Sequence, residues 1–287
     1  MKTIPFLLYL FIFGTLIVSC KKKEKDPVND TSQEKVLKNI SYGPDERNRM
    51  DVYLPAGRTS ETTKLFIWIH GGAWMEGDKS EFANLKSSLD YYLPDYAYIS
   101  VNYRLYTSST TDHMFPDQEN DIQLAVEYIQ SHLNEWNISD KAVIAGASAG
   151  GHLCLLQAYK HNTNGFIKAT VSYFPPTELA SFYNYNWFST YVLSTLTGGT
   201  PANLPELYSS SSPINYITSN SVPTVLFHGT NDDVVPLSQS ELLLDTLQTY
   251  SVPHFHQFFT GEGHGFTTQV TIQSIQQTAT FLEEYNP

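Results

Sequence analysis

At 287 residues the chain suits one α/β domain with a substantial core, and 41% hydrophobic and 14% aromatic content marks it as folded rather than disordered. The formal net charge is −12. That surface repels nucleic acid and anionic membranes and sets polyanion binding aside, while a neutral small molecule feels little of the field.

The first stretch is a leader. Lys2 supplies a positive start, residues 5–18 form a short apolar run, and Leu16-Ile17-Val18-Ser19-Cys20 closes it. The run is too short to span a bilayer and reads as a signal peptide over residues 1–19. Cys20 directly after a small residue fits a bacterial lipobox, in which it becomes the lipidated first residue; the alternative is a soluble exported protein cut near Ser19. Lipid anchoring in the cell envelope, at the outer membrane or periplasmic face, is the expectation. Residues 20–35, charged and polar, are then a tether, and 36–287 the folded domain.

Apolar, β-branched runs predict strands at 36–42, 50–54, 64–69, 96–101, 142–146, 169–173, 224–227 and 255–259. Helical spacing predicts helices at 82–93, 117–132, 149–161, 237–250 and 267–285. Ile122, Ala125, Val126, Ile129 and Leu133 give the second of these one buried face. Strand alternating with helix implies an α/β fold, a mainly parallel sheet covered on both faces. The turn at 44–49 makes the first two strands an antiparallel edge hairpin. Arg104, just past a strand, is placed to pair with Asp121 or Glu119 as structural support. Residues 175–222 break the alternation and carry Phe182, Tyr183, Tyr185, Trp187, Phe188 and Tyr191.

Chemistry concentrates at strand ends. Val143-Ile144-Ala145 runs into Gly146-Ala147-Ser148-Ala149-Gly150 and then a helix, the setting a nucleophile elbow requires, with Ser148 on a strained tip. Gly-x-Ser-x-Gly alone also occurs in glycine-rich loops. Upstream, residues 65–69 lead into His70-Gly71-Gly72-Ala73-Trp74, a loop of small residues whose Gly72 and Ala73 amides, with that of Ala149, suit a developing oxyanion. Downstream, His228-Gly229-Thr230-Asn231-Asp232-Asp233 and Gly263-His264-Gly265 each follow a strand, giving the order Ser, Asp, His. Asp232 and Asp233 lie side by side, with Glu178, after the preceding strand, a third acid. Cys154 has no partner for an intramolecular disulfide and reads as a small buried hydrophobe. His254 and His256 alternate on one strand face, either as a ligand pair or as a solvated edge. No cysteine–histidine metal spacing is present, and neither metal nor cofactor is expected.

Further segments sharpen the picture: Asp51-Val52-Tyr53-Leu54-Pro55, Gly77-Asp78-Lys79, Val101-Asn102-Tyr103-Arg104-Leu105, Phe115-Pro116 before Asp121, Gly151-His152, Ser212-Pro213-Ile214 and Gly265-Phe266. With them the chain resembles α/β-hydrolases of the esterase/lipase superfamily over about residues 40–285. More narrowly it resembles secreted carbohydrate esterases related to bifunctional feruloyl and acetyl-xylan esterases. Hormone-sensitive-lipase-like esterases, isoprenylcysteine methylesterases and kynurenine formamidases share the pattern.

The resemblance implies an α/β-hydrolase fold, a mostly parallel eight-stranded sheet with helices on both faces and a small cap insertion at 175–222. It also implies a cofactor-free serine carboxylesterase. Ser148 is then the nucleophile, His264 the base, and the His-Gly-x-x-Asp pattern selects Asp232, leaving Asp233 to cap the helix after Pro236. The implied substrate is an acetyl or feruloyl ester of plant polysaccharide, met by Trp74, Trp187 and Tyr183. An amide hydrolase, formamidase or exopeptidase-like, is the alternative on the same fold. Ala147 departs from relatives that often carry a larger polar or acidic residue there.

Overall fold

Every strand run expected from the sequence becomes a strand, and all eight join one sheet. In chain order the elements are β1 (Lys35–Ser41), β2 (Arg49–Leu54), β3 (Lys64–Ile69), α1 (Ala83–Tyr92), β4 (Tyr96–Val101), α2 (Asp117–Trp136), β5 (Ala142–Ala147), α3 (Ala149–Tyr159), β6 (Ile167–Tyr173), α4 (Leu179–Tyr183), α5 (Trp187–Thr197), α6 (Pro205–Ser210), β7 (Thr224–Gly229), α7 (Leu237–Thr249), β8 (His254–Phe259) and α8 (Thr268–Tyr285). The computed structural model describes residues 30–286, so the expected leader, Cys20 and most of the expected tether lie outside the described residues. None of the described helices is long and apolar enough to cross a membrane.

The strand order is β1-β2-β4-β3-β5-β6-β7-β8. β1 pairs antiparallel with β2 and β2 antiparallel with β4, and every later pair is parallel. Side-chain alternation with period two divides the core. Leu65, Ile67 and Ile69 of β3, with Ile144 and Leu226, meet α2, α3 and α7 through Ile122, Val126, Leu153 and Leu243. Phe66 and Trp68, with Val143, Val171 and Phe227, point to the other face, where Leu89 of α1 and Ile275 and Leu282 of α8 close over them. A strand buried on both sides must be apolar throughout, which is why β3 to β7 read as continuous runs.

The parallel register aligns the strand ends. Ile69 pairs with Gly146, Ala147 with Tyr173, Tyr173 with Phe227, and Gly229 with Phe259. The residues that follow therefore leave the sheet along one edge, bringing positions 70 to 264 within reach of each other.

One expectation needs correction. The last part of the expected tether is docked on the domain: Gly57 N donates to Thr31 O at 2.7 Å, and buried Arg58 donates to the carbonyls of Asp30 (3.0 Å) and Gln33 (3.1 Å). A guanidinium out of water needs acceptors, and these backbone carbonyls supply them. The insertion at 175–222 is largely helical. Glu178 caps α4 by accepting the amides of Ala180 and Ser181, Asn186 and Ser189 form a capping box on α5, and Pro205 opens α6. Its stem is tied to α7, because Gln239 Oε1 accepts the Thr177 and Glu178 amides at 2.8 and 2.9 Å.

Arg104 pairs with Asp121 through a bidentate contact and with Asp117 at 2.8 Å, whereas Glu119 takes Lys160 and His161 instead. Cys154 is buried, and burial pushes its thiol up to about 12. His254 Nδ1 turns to the Val252 carbonyl, and among the described residues no group of three or more ligating side chains is placed to hold a metal.

Candidate active site

Ser148 sits between β5 and α3 with φ 54° and ψ −121°, a conformation that L-residues adopt only when the surroundings impose it. Those surroundings are tight. A Cβ at Gly146 would meet Gly150 O at 2.3 Å, and one at Gly150 would meet Ile69 O at 2.2 Å. Glycine at both positions lets the chain turn from strand to helix in one step. Ser148 N is held by Tyr173 O at 2.9 Å, and its carbonyl starts α3 by accepting from His152 N at 2.9 Å.

The hydroxyl of Ser148 donates to His264 Nε2 at 2.9 Å, and His264 Nδ1 donates to Asp232 Oδ2 at 2.7 Å. Nδ1 faces a carboxylate and so carries the ring proton, leaving Nε2 free to accept. Asp232 is buried, yet burial, which alone would raise its pKa, is outweighed by hydrogen bonds from His228 and His264 and from the Val235 amide, and the carboxyl stays far below its ordinary range. Its Oδ1 accepts the amides of Val234 and Val235, both at 2.9 Å. Asp233 is exposed, and α7 has Pro236 at its N-cap with no side-chain cap, so the expected capping role of Asp233 is not found. Glu178 is occupied as the cap of α4.

His228 went unread as a site residue. It is fully buried, with Nε2 3.2 Å from Asp232 Oδ2 and 2.9 Å from Val235 O. Two acceptors at Nε2 place the proton there, and Nδ1 then accepts from Ser240 Oγ at 2.6 Å. The imidazole fixes the carboxylate from behind. The signal was available in His228-Gly229, a polar residue at the end of an otherwise apolar strand.

Facing Ser148 is the loop after β3. Gly72, Ala73 and Trp74 follow one another at φ 106°, 51° and 60°, and a Cβ on Gly72 would lie 2.2 Å from Glu76 O. Among the described residues no backbone acceptor takes the amides of Gly72 or Ala73, and both residues line the cleft that holds Ser148. Ala149 opens α3, so its amide has no preceding turn to bond. The loop is braced from below. His70 Nδ1 donates to Gly71 O at 2.7 Å, its ring stacks on Tyr103 at 4.4 Å, and Tyr103 Oη reaches the carbonyls of His70 and Gly71. Arg47 ties the far end through Gly77 O at 2.9 Å. Burial, chiefly, pushes the His70 pKa down to about 4.

The loop and the serine border an open cleft of about 620 Å³ whose walls include Glu76, Glu81, Phe174, Phe188, Val234 and His264. The Phe174 ring lies 4.7 Å from that of His264 and fixes its orientation. Among the described residues no lysine or arginine lines the cleft. The three expected substrate-contacting rings lie elsewhere. Trp74 is buried in the core against His152, because its left-handed backbone turns the side chain beneath the loop. Tyr183 packs on Tyr208, and Trp187 is 80% exposed outside the cleft. Phe188 is the cap ring that faces Ser148, one helical position from the expected one.

Sheet order, elbow and strand-end loops together define an α/β-hydrolase fold. A family model described as BD-FAE matches residues 50–247, and the chain belongs to that family. Among solved structures, the chain is similar to a "truncated form of carbohydrate esterase from gut microbiota", with TM-score 0.74 and 25% identity over 91% of this chain and 99% of that one. It is equally similar to a "bifunctional GH43-CE" from Bacteroides eggerthii, with TM-score 0.74 and 25% identity, covering 85% of this chain and 38% of that one. Among curated proteins it is 23% identical over 245 residues to the esterase LipC of Mycobacterium tuberculosis, covering 79% of this chain and 59% of that protein. It is 26% identical over 248 residues to the isoprenylcysteine alpha-carbonyl methylesterase ICME of Arabidopsis thaliana, covering 80% and 57%. The chain spans about half the length of the curated relatives it matches.

Proposed function

We propose that this protein is a serine carboxylesterase that removes acyl groups, acetyl or feruloyl, from plant polysaccharide. The observation that carries the reading is the relay Ser148–His264–Asp232, at 2.9 and 2.7 Å, whose serine and histidine line one cleft with Gly72 and Ala73. Ser148 Oγ attacks the ester carbonyl carbon as its proton passes to His264 Nε2, and the carbonyl π pair moves onto oxygen. The amides of Gly72, Ala73 and Ala149 stabilise that oxyanion. Collapse breaks the bond to the alcohol oxygen, which takes the proton from His264 and leaves acyl-Ser148. Water then attacks the acyl carbon while His264 accepts its proton; the acid departs and Ser148 is restored. Asp232 keeps the imidazole in the accepting tautomer and stabilises the imidazolium.

Two features support an acylated sugar as substrate. Phe174, Phe188 and Val234 give the cleft an apolar wall for an acyl group, and the Glu76 and Glu81 carboxylates are acceptors for hydroxyls. The second is the likeness to a carbohydrate esterase from gut microbiota. The test is a screen of purified enzyme on acetylated xylan, methyl ferulate, p-nitrophenyl esters and an N-formyl amide. Release of acetate or ferulate is expected; faster turnover of the amide than of every ester would replace the reading with an amidase.

A further inference from the structure

The cap carries exposed aromatic rings on a rigid frame. Trp187 is 80% exposed, Tyr191 47% and Tyr185 41%, whereas the other exposed large apolar side chains among the described residues are spread over Val36, Tyr91, Leu242, Tyr250 and Ile272. Trp187 and Tyr191 stand four positions apart on α5, hence on one face and about 6 Å apart along its axis. Flat rings left in water cost hydrophobic free energy, and several together mark a contact surface.

The segment is held firmly. Asn186 and Ser189 box the start of α5, Thr190 Oγ1 donates to Tyr183 O at 2.7 Å, and Asn186 Nδ2 donates to Asp233 O at 3.4 Å, beside the triad acid. The surface is also continuous with the cleft. The Trp187 and Phe188 rings meet edge to face at 6.1 Å, and Phe188 lines the cavity that holds Ser148.

Resting on the polysaccharide-esterase reading above, we propose that Trp187 and Tyr191 form a stacking platform for the sugar backbone of a neutral polysaccharide, outside the cleft and leading into it. The C–H faces of pyranose rings are apolar while their edges carry hydroxyls, so they stack on aromatic rings and keep their edges wet. The rings lose little conformational entropy on binding, since each has only two side-chain torsions. The net charge of −12 favours an uncharged polymer over a polyanion. The platform explains why the cap leaves its largest ring in water while Phe188, its neighbour, turns to the site.

The test separates binding from turnover. Native gels with and without soluble xylan are run on Ser148→Ala, which does not consume the polymer, and on Ser148→Ala/Trp187→Ala and Ser148→Ala/Trp187→Phe. Xylan should retard the single variant; Trp187→Ala should weaken retention about fivefold, and Trp187→Phe should keep most of it. In the active enzyme Trp187→Ala should raise KM for acetylated xylan by a similar factor and leave kcat/KM for p-nitrophenyl acetate within about twofold. Equal retardation of all variants, or none of any, would overturn the platform. So would Trp187-dependent pelleting with phosphatidylcholine vesicles, or Trp187-dependent dimerisation in sedimentation velocity, without xylan retention. Trp187-dependent retention with no acetate released from acetylated xylan would uphold the platform and sink the substrate reading. Acetate release with Trp187-independent retention would sink the platform alone.

Discussion

At the scale of single residues, the charge of Asp232 is what the site is built to keep. Burial would neutralise it, and His228, His264 and two backbone amides hold it ionised. Asp232→Asn is expected to lower kcat by about 10⁴ at neutral pH, because the amide favours the wrong tautomer of His264. Asp233→Asn should change neither kcat nor melting temperature, since that side chain is exposed and makes no hydrogen bond among the described residues. Steady-state kinetics on both variants check the pair. His228→Phe keeps the buried volume roughly filled but removes a donor to a carboxylate; a loss of about tenfold in kcat is expected, read beside a thermal melt. Ser148, His264 and Asp232 were legible in the sequence because each follows a strand at a polar or glycine-rich break. The contact rings were not. Which side of a helix or loop faces the cleft depends on backbone twist, as the left-handed Trp74 and the neighbours Trp187 and Phe188 show.

Among the elements, strands were easiest to read and the cap hardest. β3 to β7 are buried on both faces and announce themselves as apolar runs, whereas α4, α5 and α6 are short, mix aromatic with polar residues and owe their ends to side-chain caps. On the proposed reading, rate depends most on the loop after β3, which would hold the oxyanion. Its conformation is bought with two left-handed non-glycine residues, Ala73 and Trp74, each costing on the order of 1–2 kcal/mol; the apolar contact of the buried Trp74 ring works against that cost, while its Nε1, buried without a hydrogen-bond partner among the described residues, adds to it. Gly72 has no such latitude, given the 2.2 Å approach of Glu76 O. Gly72→Ala is therefore expected to shift the amides and cost 10²–10³ in kcat, on the order of losing one oxyanion donor, with little change in KM. Activity within a factor of three of the unmodified enzyme would show that the loop does not set the rate.

For the molecule as a whole, two buried histidines set the acid limit. Burial, first of all, holds both His70, beneath the oxyanion loop, and His152, in α3 against Trp74, at a pKa of about 4. In the unfolded chain each would protonate near 6.5. Between these values the unfolded state binds more protons, so stability is fully present above about pH 6.5 and is withdrawn as pH falls toward 4, on the order of 3 kcal/mol for each histidine. The melting temperature should fall by roughly 10 °C or more over that range, and a flat profile would contradict it. On the proposed reading one serine, Ser148, activated by His264, performs the chemistry. Intact-mass spectrometry with peptide mapping after fluorophosphonate treatment tests it most directly. A single adduct on Ser148 is expected, absent from Ser148→Ala, which should also lose roughly 10⁴–10⁶ of the ester turnover. Labelling at another residue, or ester turnover within tenfold of the unmodified enzyme in a clean Ser148→Ala preparation, would contradict it.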